Sequence, residues 1–165
     1  MAYLLDTNVF IQAQHHGYAL DVCPGFWRWI EAAHLEGRVT SIQPVLDELR
    51  AREDELSDWA ERQKKSFFAP LDAKSVQEIG TLSTWAEGQV RTGRYRRAAI
   101  EEFMESTDLQ LVAHALAHGH VVVTLERASN ELTRVKIPNA CSEHRVSFIN
   151  TLGMLRREKV RFVLA

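Results

Sequence analysis

Apolar positions along this chain alternate between short continuous runs and stripes at helical spacing. A run over residues 2–5 stops at Asp6-Thr7-Asn8, which suits a fully buried strand ending in a polar turn. Over residues 24–37, Phe26, Trp27, Ile30, Ala33 and Leu35 recur at roughly helical intervals, with Pro24 at the start and Gly37 at the end; this predicts a helix. Val39–Ile42 reads as a second strand. Pro44 then opens a helix carrying Val45, Leu46 and Leu49 that continues or restarts through Leu56 and Trp59.

Residues 72–118 are helical in pattern, punctuated weakly at Gly80, Gly88 and Gly93. Within them, Thr107 suits an N-cap, Asp108 the first turn, and Leu109, Val112, Ala113 and Leu116 share one face before Gly119 ends the helix. Residues 121–125, Val-Val-Val-Thr-Leu, form the strongest strand signal. A short strand is expected at 135–137, a helix over 146–155 and a closing strand over 161–164. Strands separated by helical stretches pair in parallel through crossovers. The expected architecture is therefore a single α/β domain over residues 1–165, a mostly parallel sheet of four to five strands with helices on both faces.

Composition narrows the function classes. Lys and Arg number 20 against 22 Asp and Glu, so bulk electrostatic binding of nucleic acid, which needs a surplus of cations, is excluded. Two cysteines, Cys23 and Cys141, are too few for a disulfide framework and fit a reducing compartment. With no basic leader before Asp6 and no apolar run near the ~20 residues of a membrane span, a soluble, cytoplasmic protein without membrane contact is expected.

Candidate chemistry lies in the acids. In open parallel sheets, sites form beyond the carboxyl ends of the strands, where Asp6 and Glu126 both stand. Asp6 also suits a turn, Glu126 a solvated strand end, and Asp108 a first-turn acid favoured by the helix dipole. On the helix after Pro44, Glu48 flanks the buried stripe while Asp47 points to solvent. Glu101, Glu102 and Glu105 are further acids with an ordinary surface reading. Carboxylates gathered without basic partners raise one another's pKa, so a fold that collects them normally supplies a cation. Oxygen-only donors select Mg²⁺ or Mn²⁺, and such a site activates water against a phosphodiester.

The string Leu4-Leu5-Asp6-Thr7-Asn8-Val9-Phe10-Ile11 resembles the opening motif of the PIN-domain nucleases, the family containing VapC-type toxins. Val45-Leu46-Asp47-Glu48-Leu49, the segment from Thr107 to Leu116, and Val121-Val122-Val123-Thr124-Leu125-Glu126 follow in the family's order, so the resemblance spans essentially the whole chain. Pro24-Gly25-Phe26-Trp27 and Val135-Lys136-Ile137-Pro138-Asn139-Ala140-Cys141 resemble a little-characterised PIN-like branch. The resemblance implies a three-layer PIN-like α/β/α fold with Asp6, Glu48, Asp108 and Glu126 as catalytic metal-binding acids, supported by Asn8 and Thr124. Many relatives have Thr-x-Asp where this chain has Thr124-Leu125-Glu126, one methylene longer. Also implied are Mg²⁺- or Mn²⁺-dependent RNA cleavage, an antitoxin partner and a homodimer. The rival expectation is a catalytically inactive PIN-like module that binds RNA or protein.

Other motifs are weaker. No phosphate loop, dinucleotide fingerprint, nucleophile elbow or H-E-x-x-H helix occurs. An aspartyl-phosphate chemistry at Asp6 would want a second Asp two residues on, where Asn8 stands. Arg91, Arg94, Arg96 and Arg97 surround Tyr95, and Arg156, Arg157, Lys159 and Arg161 form a second basic group; both suit an RNA backbone, with Tyr95 stacking a base, or simply a solvated face. His114 and His118 lie four apart with His120 nearby, a spacing open to metal binding; facing away from the Leu109/Val112/Leu116 stripe, they are expected to be exposed. Phe26, Trp27, Trp29 and Ile30 suit core or a dimer face, and Cys141 a buried, inert thiol.

Overall fold

In the computed structural model, which describes residues 1–163, five short strands form one parallel sheet in the order β3-β2-β1-β4-β5. They are β1 (Tyr3–Leu5), β2 (Val39–Ile42), β3 (Phe68–Ala69), β4 (Val121–Val123) and β5 (Phe148–Ile149). The helices among the described residues are α1 (Thr7–His16), α2 (Pro24–Leu35), α3 (Gln43–Arg50), α4 (Glu55–Glu61), α5 (Ala73–Arg91), α6 (Arg97–Met104), α7 (Thr107–His118), α8 (Ile137–Glu143) and α9 (Thr151–Arg157). This is the expected three-layer α/β/α class.

The sheet is built outward from β1, whose Leu4 and Leu5 are fully buried between the helical layers. Apolar continuity without alternation is what a strand covered on both faces requires. Leu4 pairs with Thr40 on one side and Val122 on the other, and Leu5 with Val123. Beneath α1 an aromatic cluster fills the core: Phe10 lies 5.7 Å from Trp59, and Trp27 stands edge-on to Trp59 at 4.7 Å between ring centroids. Phe26, Trp27 and Ile30 are core residues.

Several elements depart from expectation for identifiable reasons. Asp6-Thr7-Asn8 is a helix start, not a loop: Asp6 has the extended backbone of an N-cap, and Val9, Phe10 and Ala13 turn inward one helical turn apart. The helix after Pro44 restarts, because Glu53 takes a positive φ of 53° and Asp54 caps α4 by accepting from the Ser57 N–H at 3.0 Å. Gly80 and Gly88 stay inside α5; the helical stretch breaks at Gly93, with a φ of +74°, and again at Glu105-Ser106 between α6 and α7. Ser106, not Thr107, caps α7, its Oγ accepting from the Leu109 N–H. Gly119 does end α7, with left-handed backbone at its C-cap.

At 135–137 there is no strand; Pro138 sits in the first turn of α8, where its missing N–H is not needed. The helix expected over 146–155 divides into β5, paired with β4 through Val122 to Phe148, and α9, capped by Asn150 accepting from the Gly153 N–H at 2.7 Å. Of the closing strand expected over 161–164, residues 161–163 are unpaired coil and Leu164 lies outside the described residues. No helix among the described residues is long and apolar enough to cross a membrane.

Because Leu5 is fully enclosed at the centre of the sheet, Leu5→Ala should destabilise the fold by about 2–5 kcal/mol. Urea unfolding should show a lower midpoint at unchanged slope; an unchanged midpoint would contradict this core.

Candidate functional site

Register places the first two groups. Since Leu5 lies opposite Val123, the chain leaves β1 and β4 side by side at one edge of the sheet, with Asp6 beside Thr124. The Asp6 N–H donates to Val123 O at 3.0 Å, and Thr124 Oγ1 donates to Asp6 Oδ2 at 3.0 Å. Thr124 Oγ1 in turn accepts from the Glu126 N–H at 3.2 Å. Asp6 is only 2% exposed, so its carboxylate orientation is set by these bonds and not by solvent.

Three further acids converge on this edge. Asp108 occupies the first turn of α7, where the helix dipole favours negative charge. Glu48 projects from α3 and accepts a hydrogen bond from Thr7 Oγ1 in the first turn of α1. Glu126 is mostly buried and uses both carboxylate oxygens: Oε2 accepts from the Ile137 N–H at 2.8 Å, Oε1 from Arg134 Nη2 at 3.1 Å. The same Arg134 nitrogen stands 4.0 Å from Asp108 Oδ2. Beside these groups a cleft of about 270 Å³ opens, lined by Glu48, Glu102, Glu105, Ser106, Asp108 and Arg134.

The electrostatics are those of acids held close in a poorly solvated place. Burial first, then the neighbouring Asp108 and Glu126, push the Asp6 carboxyl up to about 7, against the hydrogen bond from Thr124. Burial and then Glu126 raise Asp108 to about 6, with Glu48 adding to the rise and Arg134 and Lys136 opposing it.

The structure thus brings Asp6, Glu48, Asp108 and Glu126 to one edge, with Thr124 bonded to Asp6. Asn8 is exposed, and no side-chain hydrogen bond is formed by it among the described residues. Thr7 holds Glu48 instead, one residue earlier in the same motif. Thr7 and Arg134 had no sequence signal of their own; only the folded juxtaposition of α1 with α3, and of the 127–136 loop with α7, reveals them. Glu102 and Glu105 reach the cleft from the surface, and Asp47 faces solvent, pairing with Arg50 at 3.7 Å.

Two expectations need correcting. Tyr95 cannot stack a base: it is 4% exposed, covered by the Arg94 guanidinium 4.2 Å above its ring, while Arg94 donates to the carbonyls of Glu131 and Ser129. Arg91, Arg96 and Arg97 remain exposed. His114 is buried rather than exposed, since α5 packs over that face of α7. Among the described residues, the group that brings three metal-ligand atoms within 4.8 Å of one another is Asp72, His114 and His118, which could hold a metal ion; the four sheet-edge acids are spaced more widely. Cys141 is buried, its thiol pushed up to about 12 by burial alone.

Raised carboxyl pKa values mean that the folded chain binds protons more tightly than the unfolded chain. Their contribution to stability is complete below the ordinary carboxylate range and is lost as pH rises through about 6 and 7. Without divalent cations, the melting temperature should therefore fall between about pH 4 and pH 7, and Asp6→Asn should flatten that fall. A fall that Asp6→Asn leaves intact would contradict the assignment.

Comparison with solved structures shows the fold. A chain of the crystal structure of VapBC2 from Rickettsia felis bound to a DNA fragment from their promoter superposes with a TM-score of 0.54 at 16% identity, covering 91% of this chain and 98% of that one. A chain of FitAcB from Neisseria gonorrhoeae gives 0.48 at 16% identity, covering 90% and 96%. The architecture is PIN-like. No curated protein matches the sequence. A family model described as Domain of unknown function (DUF4411) matches residues 3–162, and the chain belongs to that family.

Proposed function

We propose that this protein is a Mg²⁺- or Mn²⁺-dependent endoribonuclease, working in the cytoplasm as the toxin of a toxin–antitoxin pair. The observation that carries the reading is the convergence of Asp6, Glu48, Asp108 and Glu126 at the carboxyl edge of a parallel sheet, with two of them held near neutral pKa. That donor set fits a hard divalent cation: it is all oxygen, and its members repel one another unless a cation or protons intervene. Asp6, Glu48 and Asp108 would hold the ion, and Glu126 would bind it directly or through water. When bound, such an ion activates water and neutralises charge on a phosphodiester.

The chain's own residues set the geometry. Thr124 fixes the Asp6 carboxylate and Thr7 fixes Glu48. Arg134 balances Glu126 and Asp108 while no cation is present. Exposed Arg91, Arg96 and Arg97, and the second basic group at Arg156, Arg157, Lys159 and Arg161, are the surfaces offered to an RNA backbone. An antitoxin partner belongs to the same reading, supported by the likeness in fold to a VapBC2 chain, and a homodimer belongs to it as what the sequence resemblance implies. The rival, an inactive binding module, rests on Glu126 being fully engaged by Arg134 and the Ile137 N–H.

Purified protein with a panel of structured RNAs should cut only when Mg²⁺ or Mn²⁺ is added, and Asp6→Asn and Asp108→Asn should each lose on the order of 100-fold or more, beyond the loss usual for residues behind the ligands. Cutting retained by both variants would overturn the site; metal-independent RNA affinity without cutting would favour the module. Arg134→Gln should move the Mn²⁺ midpoint of activity to lower concentration, since a competing positive charge is removed. An unmoved midpoint would leave Arg134 without that role.

A further inference from the structure

Away from the sheet-edge acids, the start of α5 meets the last turn of α7 around a second polar cluster. His114 and His118 stand one turn apart on α7, their ring centroids 4.6 Å apart, with Asp72 across from them at the N-cap of α5. His114 is 96% shielded, at 4% exposure. His118 Nε2 lies 3.0 Å from Asp72 Oδ2, yet it is a buried nitrogen without an aligned hydrogen bond. A buried polar atom left in that condition is uncommon and calls for a partner.

Hydrogen bonds around the cluster fix which atoms are available. Asp72 Oδ1 accepts from both the Ser75 N–H at 2.9 Å and Ser75 Oγ at 2.8 Å. An ionised carboxylate can only accept. The single hydroxyl hydrogen of Ser75 is therefore committed to Asp72. His114 Nδ1, 2.8 Å from Ser75 Oγ, must then be the N–H that donates to it, which leaves Nε2 unprotonated. A histidine whose other nitrogen is anchored in this way is oriented as a metal ligand. His120, by contrast, accepts from the Ala2 N–H at Nδ1 at 3.1 Å, which occupies that lone pair and puts its proton on Nε2.

The geometry points to a transition-metal site of zinc type, formed by His114 Nε2, His118 Nε2 and Asp72 Oδ2, that fastens the start of α5 to the end of α7. One donor atom from each of Asp72, His114 and His118 lies within 4.8 Å of the other two; a tetrahedral Zn²⁺ holds its ligand atoms about 3.4 Å apart, so side-chain rotations are what bring the two Nε2 atoms and Oδ2 onto one ion. Two imidazoles and one carboxylate select Zn²⁺ or a similar borderline ion over Mg²⁺. Asp72 is exposed, which leaves the fourth position to water.

The inference is independent of the nuclease reading, and its readout is metal affinity, not RNA cleavage. Calorimetric titration of the full chain with Zn²⁺, and with Co²⁺ followed by its visible absorption, should show a saturable site with a tetrahedral cobalt spectrum, separate from any binding at the sheet-edge acids. His118→Gln and Asp72→Asn, the second of which keeps the helix cap, should each weaken binding by about 10-fold or more, while Glu48→Gln combined with Asp108→Asn should leave it unchanged. Absence of saturable binding, or affinity that His118→Gln and Asp72→Asn do not alter, would overturn the site. Loss of Zn²⁺ binding in the Glu48/Asp108 variant alone would overturn it equally, by moving the ion to the sheet edge.

Discussion

The parallel pairing of β1 with β4 is the constraint on which the remaining geometry depends. Leu4, Leu5, Val122 and Val123 are fully buried, and their register leaves Asp6 and Thr124 adjacent where the strands end. A slip of one residue would turn every side chain of β1 to the opposite face. It would also separate the Thr124 hydroxyl from the carboxylate it fixes. The three remaining acids come from elements that pack against this pair: Glu48 from α3, Asp108 from the first turn of α7, and Glu126 just beyond β4.

Gathering these carboxylates costs free energy, and the fold offsets that cost in three ways. Protons partly stay on Asp6 and Asp108, whose pKa values rise toward neutrality. Hydroxyl donors from Thr7 and Thr124 reach Glu48 and Asp6, and the Ile137 N–H reaches Glu126, while the Glu126 N–H donates to the Thr124 hydroxyl. Arg134 bridges Glu126 and Asp108. Each is a partial substitute for a cation, and none removes the burial and the repulsion that keep Asp6 high. A formal charge of -2 therefore conceals an uneven surface: acids converge at one edge, while exposed arginines at 91, 96 and 97 lie elsewhere.

What the sequence made legible follows from the length of each signal. The helix from Pro24 is 12 residues long with proline in its first turn, and Val39–Ile42 is four residues of continuous strand; both form where the pattern puts them. Strands β3 and β5 are two residues each, too short for any period to register, and their pairing is decided by neighbours. Asp6-Thr7-Asn8 reads as a turn from its residues alone, and only the inward faces of Val9 and Phe10 make it a helix start. Asp6, Asp108 and Glu126 were legible because they sit at element ends, and Glu48 because it flanks the buried stripe of its helix. Their partners Thr7 and Arg134 were not, since both act across elements distant in sequence. His114 looked exposed because its face of α7 is not the apolar stripe, yet α5 covers it; likewise Tyr95 lies in a basic run but its ring is packed inward.

The most direct measurement is an anomalous-difference map from a crystal soaked in Mn²⁺. An ion peak bounded by Asp6, Glu48 and Asp108, with Arg134 displaced from Asp108, is the predicted result. A soaked crystal with no peak at the sheet edge and Arg134 still bridging Glu126 and Asp108 would contradict the account.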